Sequence, residues 1–280
     1  MSYRKVEKII KGIQTSDGAG VNLTRIIGSP ELNMLDPFLL LDEFGSSNPN
    51  DYIAGFPPHP HRGFETITYM LNGKFRHQDS AGNEGILTDG SVQWMTAGRG
   101  VIHSEMPEQT EGLVRGFQLW MNLPKKLKMT DPAYYDIQPE KIPQVDFEGG
   151  NAKIISGSYQ GIKGPGKPHT GMLYHNIYLK PDALFEIKIE NGWNVFIYIY
   201  EGSVKLDQMI RKGRLVVFEQ SGDLILNAGS DGVQFIVVAG EPLNEPVARG
   251  GPFVMNTRAE ILQAFDDYQR GILDKPIKVH

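Results

Sequence analysis

Apolar and charged residues alternate with period two through Phe185-Glu186-Ile187-Lys188-Ile189-Glu190, and from Phe117 to Leu123 the apolar positions fall on odd numbers. Such alternation turns one face of an extended strand to a core and the other away from it. Ser91 to Thr96, Leu215 to Phe218, Leu224 to Leu226 and Val233 to Val238 predict further strands. A helical signal stands out only near the end. Thr257 and Glu260 have the spacing of a capping box, Ile261, Ala264, Phe265 and Tyr268 mark one face, and Gly271 supplies a stop. The 32 glycines and 18 prolines are spread along the chain, punctuating many short apolar stretches. That is the pattern of an all-β protein built from sandwiches or barrels. At 280 residues the chain is long enough for two domains. Between Pro124 and Pro143 it carries four prolines and several lysines without a sustained period, which predicts a connection. The expected division is an N-terminal domain over 1–130 and a C-terminal domain over 131–280.

Laying the two halves over each other adds a second level of pattern. Gly63 to Gly73 matches Gly192 to Gly202 without a gap, with glycine, aromatic, tyrosine and glycine coinciding. Further on, Gly90 followed by Ala97-Gly98 echoes Gly222 followed by Ala228-Gly229. One β fold used twice is the implied organisation.

Composition narrows the chemistry. With no cysteine against seven histidines, disulfides, zinc ribbons, iron–sulfur clusters and thiol nucleophiles are excluded, so any metal must be held by nitrogen and oxygen. A formal net charge of −5 argues against a protein that grips nucleic-acid backbones. The first residues mix charges and lack an apolar leader. The longest apolar run, Val195 to Tyr200, falls far short of the ~20 residues that span a bilayer. A soluble cytoplasmic monomer is expected, with the nucleus as a further location in a eukaryotic host.

Two short motifs then stand out. His59-Pro60-His61 places imidazoles at i and i+2, on one face of an extended segment, and His103-Ser104-Glu105 repeats the spacing with an imidazole and a carboxylate. Either pair alone is common on protein surfaces. Together, each beside a glycine-rich turn, they favour a metal centre over solvated or core histidines. Three nitrogens and one oxygen suit Fe(II), and also Mn, Ni, Cu, Co or Zn. Glu65, four residues after His61, competes with Glu105 for the anionic position. Gly98-Arg99-Gly100 has no phosphate-loop continuation and is read as a turn delivering His103. In the overlay, Lys188 and Glu190 stand opposite His59 and His61, while Gln234 and Ile236 stand opposite His103 and Glu105. The second half is therefore expected to be a scaffold without metal, with His169 and His175 in loops or at strand starts. His77, two before Asp79 on an expected hairpin, is read as a solvated turn residue, with support of the metal site as the other reading. Lys125, Lys126 and Lys128 are read as a solvated basic face.

The run His59-Pro60-His61-Arg62-Gly63-Phe64-Glu65 and the run from Gln93 to Pro107, containing Gly98-Arg99-Gly100-Val101-Ile102-His103-Ser104-Glu105-Met106-Pro107, closely resemble the pirin family. Leu35 to Leu40, Ala239 to Pro242 and Gly251 to Thr257 extend the likeness over nearly the whole chain. The resemblance implies a bicupin, two antiparallel β-barrels with iron in the first alone, ligated by His59, His61, His103 and Glu105. Glu65 then becomes a supporting group. Some pirins open the flavonol ring of quercetin with dioxygen and release carbon monoxide, which would make Glu105 both ligand and acceptor of the 3-hydroxyl proton. Phe56, Trp94, Met95, Phe117 and Trp120 are candidates to line a site for a flat aromatic substrate. Others act as iron-bearing proteins that modulate a transcription factor or metabolic enzyme. Here the loop from Ser16 to Arg25 carries a single arginine, which favours the dioxygenase.

Overall fold

The odd-numbered alternation around Phe117 becomes the strand Val114–Asn122, with Phe117, Leu119 and Met121 fully buried while Gln118 and Trp120 on the other face stay half-buried. In the computed structural model, which describes residues 3–275, this strand lies inside a seven-stranded antiparallel sheet. It pairs with Phe38–Ser46 on one side and Phe64–Asn72 on the other. Val92–Thr96 and Ala133–Ile137 continue the sheet beyond Phe64–Asn72, and Val21–Ile27 and Ile13–Asp17 continue it beyond Phe38–Ser46. A separate four-stranded sheet runs in the order Phe56–His61, Val101–Pro107, Phe75–Asp79, Glu84–Leu87. Side chains of both sheets meet where Thr68 and Gln118 reach Glu105.

The chain divides into two compact units that are interleaved along the sequence. One comprises residues 14–28, 38–139 and 243–280 and holds the two sheets just described; the other comprises 1–13, 29–37 and 140–242. Division into the consecutive segments 1–130 and 131–280 reflects chain order, whereas contacts place the last segment with the first unit. The expected connection is not structureless either. Ala133–Ile137 pairs with Val92–Thr96, adding Tyr134 and Tyr135 to the sheet.

The second unit is a nine-stranded sheet whose path runs Val6–Lys11, Arg214–Phe218, Asn194–Lys205, Leu224–Gly240, Met172–Leu179, Gly150–Ser156, Gln144–Phe147, with Leu184–Ile187 and Met209–Arg211 paired off that path. Leu224 to Leu226 and Val233 to Val238, read separately in the sequence, form one 17-residue strand. Gly63, Gly73, Gly192 and Gly202, the glycines bracketing the matched segments, all have positive φ, so the first overlay register reports the same turns in both halves. The second register is corrected by the pairing. Val92–Thr96 and Arg214–Phe218 both flank the repeated strand, and the pair Phe56–His61 with Val101–Pro107 has its counterpart in Leu184–Ile187 with the start of Leu224–Gly240. His59 faces His103 in the first pair, whereas buried Phe185 faces Leu226 in the second. Echoing glycines misaligned the halves because glycine marks turns without specifying which turn. His175 is also corrected: it lies within Met172–Leu179 and is fully buried, and burial pushes its pKa down to about 3.

The helix Arg258–Gln269 is capped as its sequence demands. The Thr257 side chain accepts from the Glu260 amide while Glu260 accepts from the Thr257 amide. At the far end Gly271 turns with φ +67°, its amide donating to Tyr268 O while Ile272 N–H reaches Asp267 O, so the free carbonyls are satisfied. Ile261 and Ala264 are buried, and Phe265 and Tyr268 stay partly exposed against Phe253. Among the described residues no helix is long and apolar enough to cross a membrane.

Candidate metal centre

Proline at 57, 58 and 60 holds Phe56–His61 extended, and its pairing with Val101–Pro107 sets His59 directly opposite His103. Gly98 and Gly100, with φ +51° and +147°, make the turn that starts Val101–Pro107, as the sequence indicated. The outcome is a group of three imidazoles, His59, His61 and His103, each offering a ring nitrogen within 4.8 Å of the others. Ring centroids lie 4.7 Å apart for His59 and His61, 4.3 Å for His59 and His103 and 5.0 Å for His61 and His103.

Hydrogen bonds decide which nitrogen of each ring is available. His59 Nδ1 lies 2.8 Å from Pro57 O and His61 Nδ1 lies 3.3 Å from Pro252 O. A carbonyl only accepts, so both Nδ1 atoms carry the proton and both Nε2 atoms keep a lone pair. For His103 the chain is longer. Its Nδ1 sits 3.4 Å from Nδ1 of His77, and His77 Nε2 sits 3.4 Å from Asp79 Oδ2. Burial raises the Asp79 pKa, but bonds from His77 and Asn83 outweigh it and hold the carboxyl below its ordinary range. The ionised carboxylate accepts from His77 Nε2–H, so His77 Nδ1 accepts from His103 Nδ1–H. His103 Nε2 is left buried with no hydrogen-bond partner. An orphaned lone pair beside two other imidazoles is what a resident metal ion would satisfy. Burial, and then the neighbouring imidazoles, push His61 and His103 well below the ordinary histidine pKa, which keeps them in the neutral form that ligates.

The carboxylates are now distinguished. Glu105 is buried, with Oε1 accepting from Thr68 Oγ1 at 3.1 Å and Oε2 from Gln118 Nε2 at 3.0 Å. It lies beside the three-histidine group without being one of its members. Glu65 is buried elsewhere, accepting from Trp94 Nε1 at 3.2 Å and Thr96 Oγ1 at 2.9 Å, and so ties two strands together.

Two sequence readings are corrected at this site. His77 is fully buried, stacked 4.2 Å from Tyr134, because Phe75–Asp79 pairs with Val101–Pro107 and sets His77 opposite Glu105. Lys128 is 1% exposed, its ammonium donating to Gly63 O, Asn122 Oδ1 and Val254 O, and burial lowers its pKa to about 8. Lys125 and Lys126 remain exposed, and His169 lies in an exposed loop. His280 lies outside the described residues.

His59 and His61 open onto a cavity of about 790 Å³, with His103 buried behind them. Phe56 and Trp120 line it, whereas Trp94, Met95 and Phe117 are fully buried core. Gln118, Arg25, Arg249 and Pro252 also line it and were not singled out from the sequence. Only the half-buried even face of Val114–Asn122 hinted at Gln118.

Comparison with known proteins agrees with this architecture. Residues 20–121 match the Pirin family and residues 174–274 the Pirin C-terminal cupin domain. A pirin-like protein of Caulobacter vibrioides is 47% identical over 97% of this chain and 99% of its own length. A Pseudomonas aeruginosa protein provisionally named a quercetin 2,3-dioxygenase is also 47% identical, over 97% of this chain and 98% of its own. The crystal structure of quercetin 2,3-dioxygenase from Acinetobacter baumannii superposes with a TM-score of 0.90 at 31% identity, covering 99% of this chain and 100% of that one. The chain therefore belongs to the pirin family of the cupin superfamily, and it is a two-cupin protein with a three-histidine group suited to a metal ion.

Proposed function

We propose that the protein is a metal-dependent dioxygenase that opens the ring of a flavonol such as quercetin, or of a related enediol, with dioxygen. The observation that carries this reading is the convergence of ring nitrogens from His59, His61 and His103, the first two of them at the wall of a cavity large enough for a flat bicyclic ligand. His59, His61 and His103 would hold the ion with Glu105 as the anionic ligand, and Fe(II) is the metal we assign. When bound, such an ion supplies Lewis acidity towards a hydroxyl oxygen and an open position for substrate.

The remaining work falls to the protein. Phe56 and Trp120 offer apolar faces to a planar ring. Glu105 is the base for the flavonol 3-hydroxyl, and the bonds from Thr68 and Gln118 hold it in reach while leaving lone pairs free. Trp120 Nε1 donates to Gln118 Oε1 at 3.3 Å, so the residue beneath the substrate ring also orients the amide that holds the base. Support also comes from the relatives whose names carry quercetin 2,3-dioxygenase.

Anaerobic loading with Fe(II), followed by aeration in the presence of quercetin, tests the reading. Loss of flavonol absorbance with release of carbon monoxide is expected for the wild type and not for His59→Ala. Stoichiometric iron uptake with no flavonol consumed under any metal would overturn the enzyme reading in favour of an iron-bearing regulator.

A further inference from the structure

The cavity wall carries two guanidinium groups in very different electrostatic positions. Arg25 is fully balanced. Its Nη2 lies 2.7 Å from both Asp17 Oδ2 and Asp42 Oδ2, and its Nε lies 3.0 Å from Asp42 Oδ1. Arg249 has no carboxylate partner among the described residues. Its Nη1 donates to Leu39 O at 3.1 Å, and the group lies over the Trp120 ring, 5.3 Å from the centroid. Of its five N–H donors, one is used.

The same indole links this cation to the metal group. The His61 ring packs edge-on against Trp120 with centroids 5.0 Å apart, so His61 and Arg249 flank one aromatic plate. Arg249, His59, His61 and Trp120 all line one cavity. Burial, and then the repulsion from Arg25, lower the Arg249 pKa, and the attraction of Asp42 offsets them only in part. The nearby carboxylates spend their direct bonds elsewhere, Asp17 on Arg25 and the Gly18 amide and Asp42 on Arg25, so Asp42 attracts Arg249 without bonding to it. Arg249 is exposed, and a guanidinium at a cavity wall, held against an aromatic plate with no direct carboxylate partner, offers its free N–H donors to an anion carried on a ring.

We infer that Arg249 recognises an anionic group on the substrate, so that the site prefers planar, oxygen-chelating aromatics or enediols that carry a carboxylate remote from the chelating oxygens. The inference rests on the metal-centred reading of the site and narrows its substrate class. The ring lies along Trp120, the chelating oxygens face the histidines, and the carboxylate meets the free edge of the guanidinium.

A matched ligand pair separates charge recognition from chelation. Full-length protein is loaded with nickel(II) and titrated under argon by calorimetry with 3,4-dihydroxybenzoate and with its methyl ester. Both present the same pair of hydroxyls. The ester withdraws more electron density and has the more acidic catechol, so a preference for the acid does not come from catechol acidity, and one that came from the carboxylate binding nickel would survive Arg249→Met. Wild type is expected to bind the acid about tenfold to a hundredfold tighter, the range of a charge-assisted pair. Arg249→Met should bring the acid down to the ester while leaving the ester and nickel uptake unchanged, and Arg249→Lys should keep part of the preference. Equal affinities in wild type, no binding of either ligand to the loaded protein, or a preference that survives Arg249→Met would each overturn the inference. Quercetin turnover by the iron-loaded wild type is scored separately. If turnover is absent and the acid preference persists, the flavonol reading fails and the anion site stands.

Discussion

The three clustered histidines are held in two different ways, because their Nδ1 atoms meet different partners. His59 and His61 are fixed by carbonyls, which impose the tautomer at no electrostatic charge, whereas His103 is fixed through His77 to the carboxylate of Asp79. Asp79 is itself anchored by the amides of Ala81 and Asn83 and by the Asn83 side chain. Removing His77 should therefore free the His103 ring to turn and to protonate at Nε2. His77→Ala is expected to weaken nickel(II) binding about 10- to 100-fold in chelator competition. His77→Gln, whose amide can accept from His103 and donate towards Asp79, should retain much of the affinity. Equal losses in both variants would mean that packing against Tyr134, not the relay, is what matters. The clustered histidines were legible from two short motifs, His59-Pro60-His61 and His103-Ser104-Glu105. His77 was not, because its role depends on a strand pairing that brings residue 77 against residue 105, and a single histidine on a hairpin carries no local mark of that.

Among the elements, the short proline-rich strand that bears His59 and His61 is the one most dependent on its surroundings. It ends at Gly63, whose φ is +90° and where an added Cβ would stand 1.9 Å from Val254 O. The same carbonyl and Gly63 O both receive the buried Lys128 ammonium, and the Val254 amide donates to Arg62 O. The strand end is thus clamped from both sides. Gly82, with φ +89° and nothing within 4 Å of its Cβ position, shares the backbone strain without the clash. Gly82→Ala should cost about 1 kcal/mol, as expected for alanine at positive φ, and Gly63→Ala should cost clearly more and weaken metal binding as well. Thermal melts and metal titrations of the two variants check this; matching losses would show that φ alone is responsible. At this scale much was readable, since alternation found Val114–Asn122 and the capping box found Arg258–Gln269. The edge strand Ala133–Ile137 was hidden by flanking prolines that read as a linker.

At the scale of the whole chain, the unit that holds the three-histidine group is completed by residues from 243 onward, more than a hundred positions after His103. Pro252 O fixes the His61 tautomer, Asp267 pairs with the buried Arg62 at 2.7 Å, and Arg249 enters the cavity wall. A chain ending at Pro242 keeps His59, His61, His103 and Glu105 yet lacks the Pro252 carbonyl and the Asp267 carboxylate that prop the histidine group. It is expected to lose stoichiometric metal uptake, measured by elemental analysis after gel filtration, even where circular dichroism retains β structure; full uptake would show that the last segment is dispensable. The sequence by itself determined the β class, the duplicated strand with its bracketing glycines, the capped helix and the two short motifs that supply the three clustered histidines. These are written in periodicity and in spacings of a few residues, which strand and helix geometry convert directly into faces and turns. Tertiary structure alone decided the tautomer of each imidazole, the burial of His77 and Lys128, the separate duties of Glu65 and Glu105, and the unpaired charge of Arg249. Each of these depends on which distant carbonyl, carboxylate or ring the fold brings within a few ångströms, and local spacing holds no record of that.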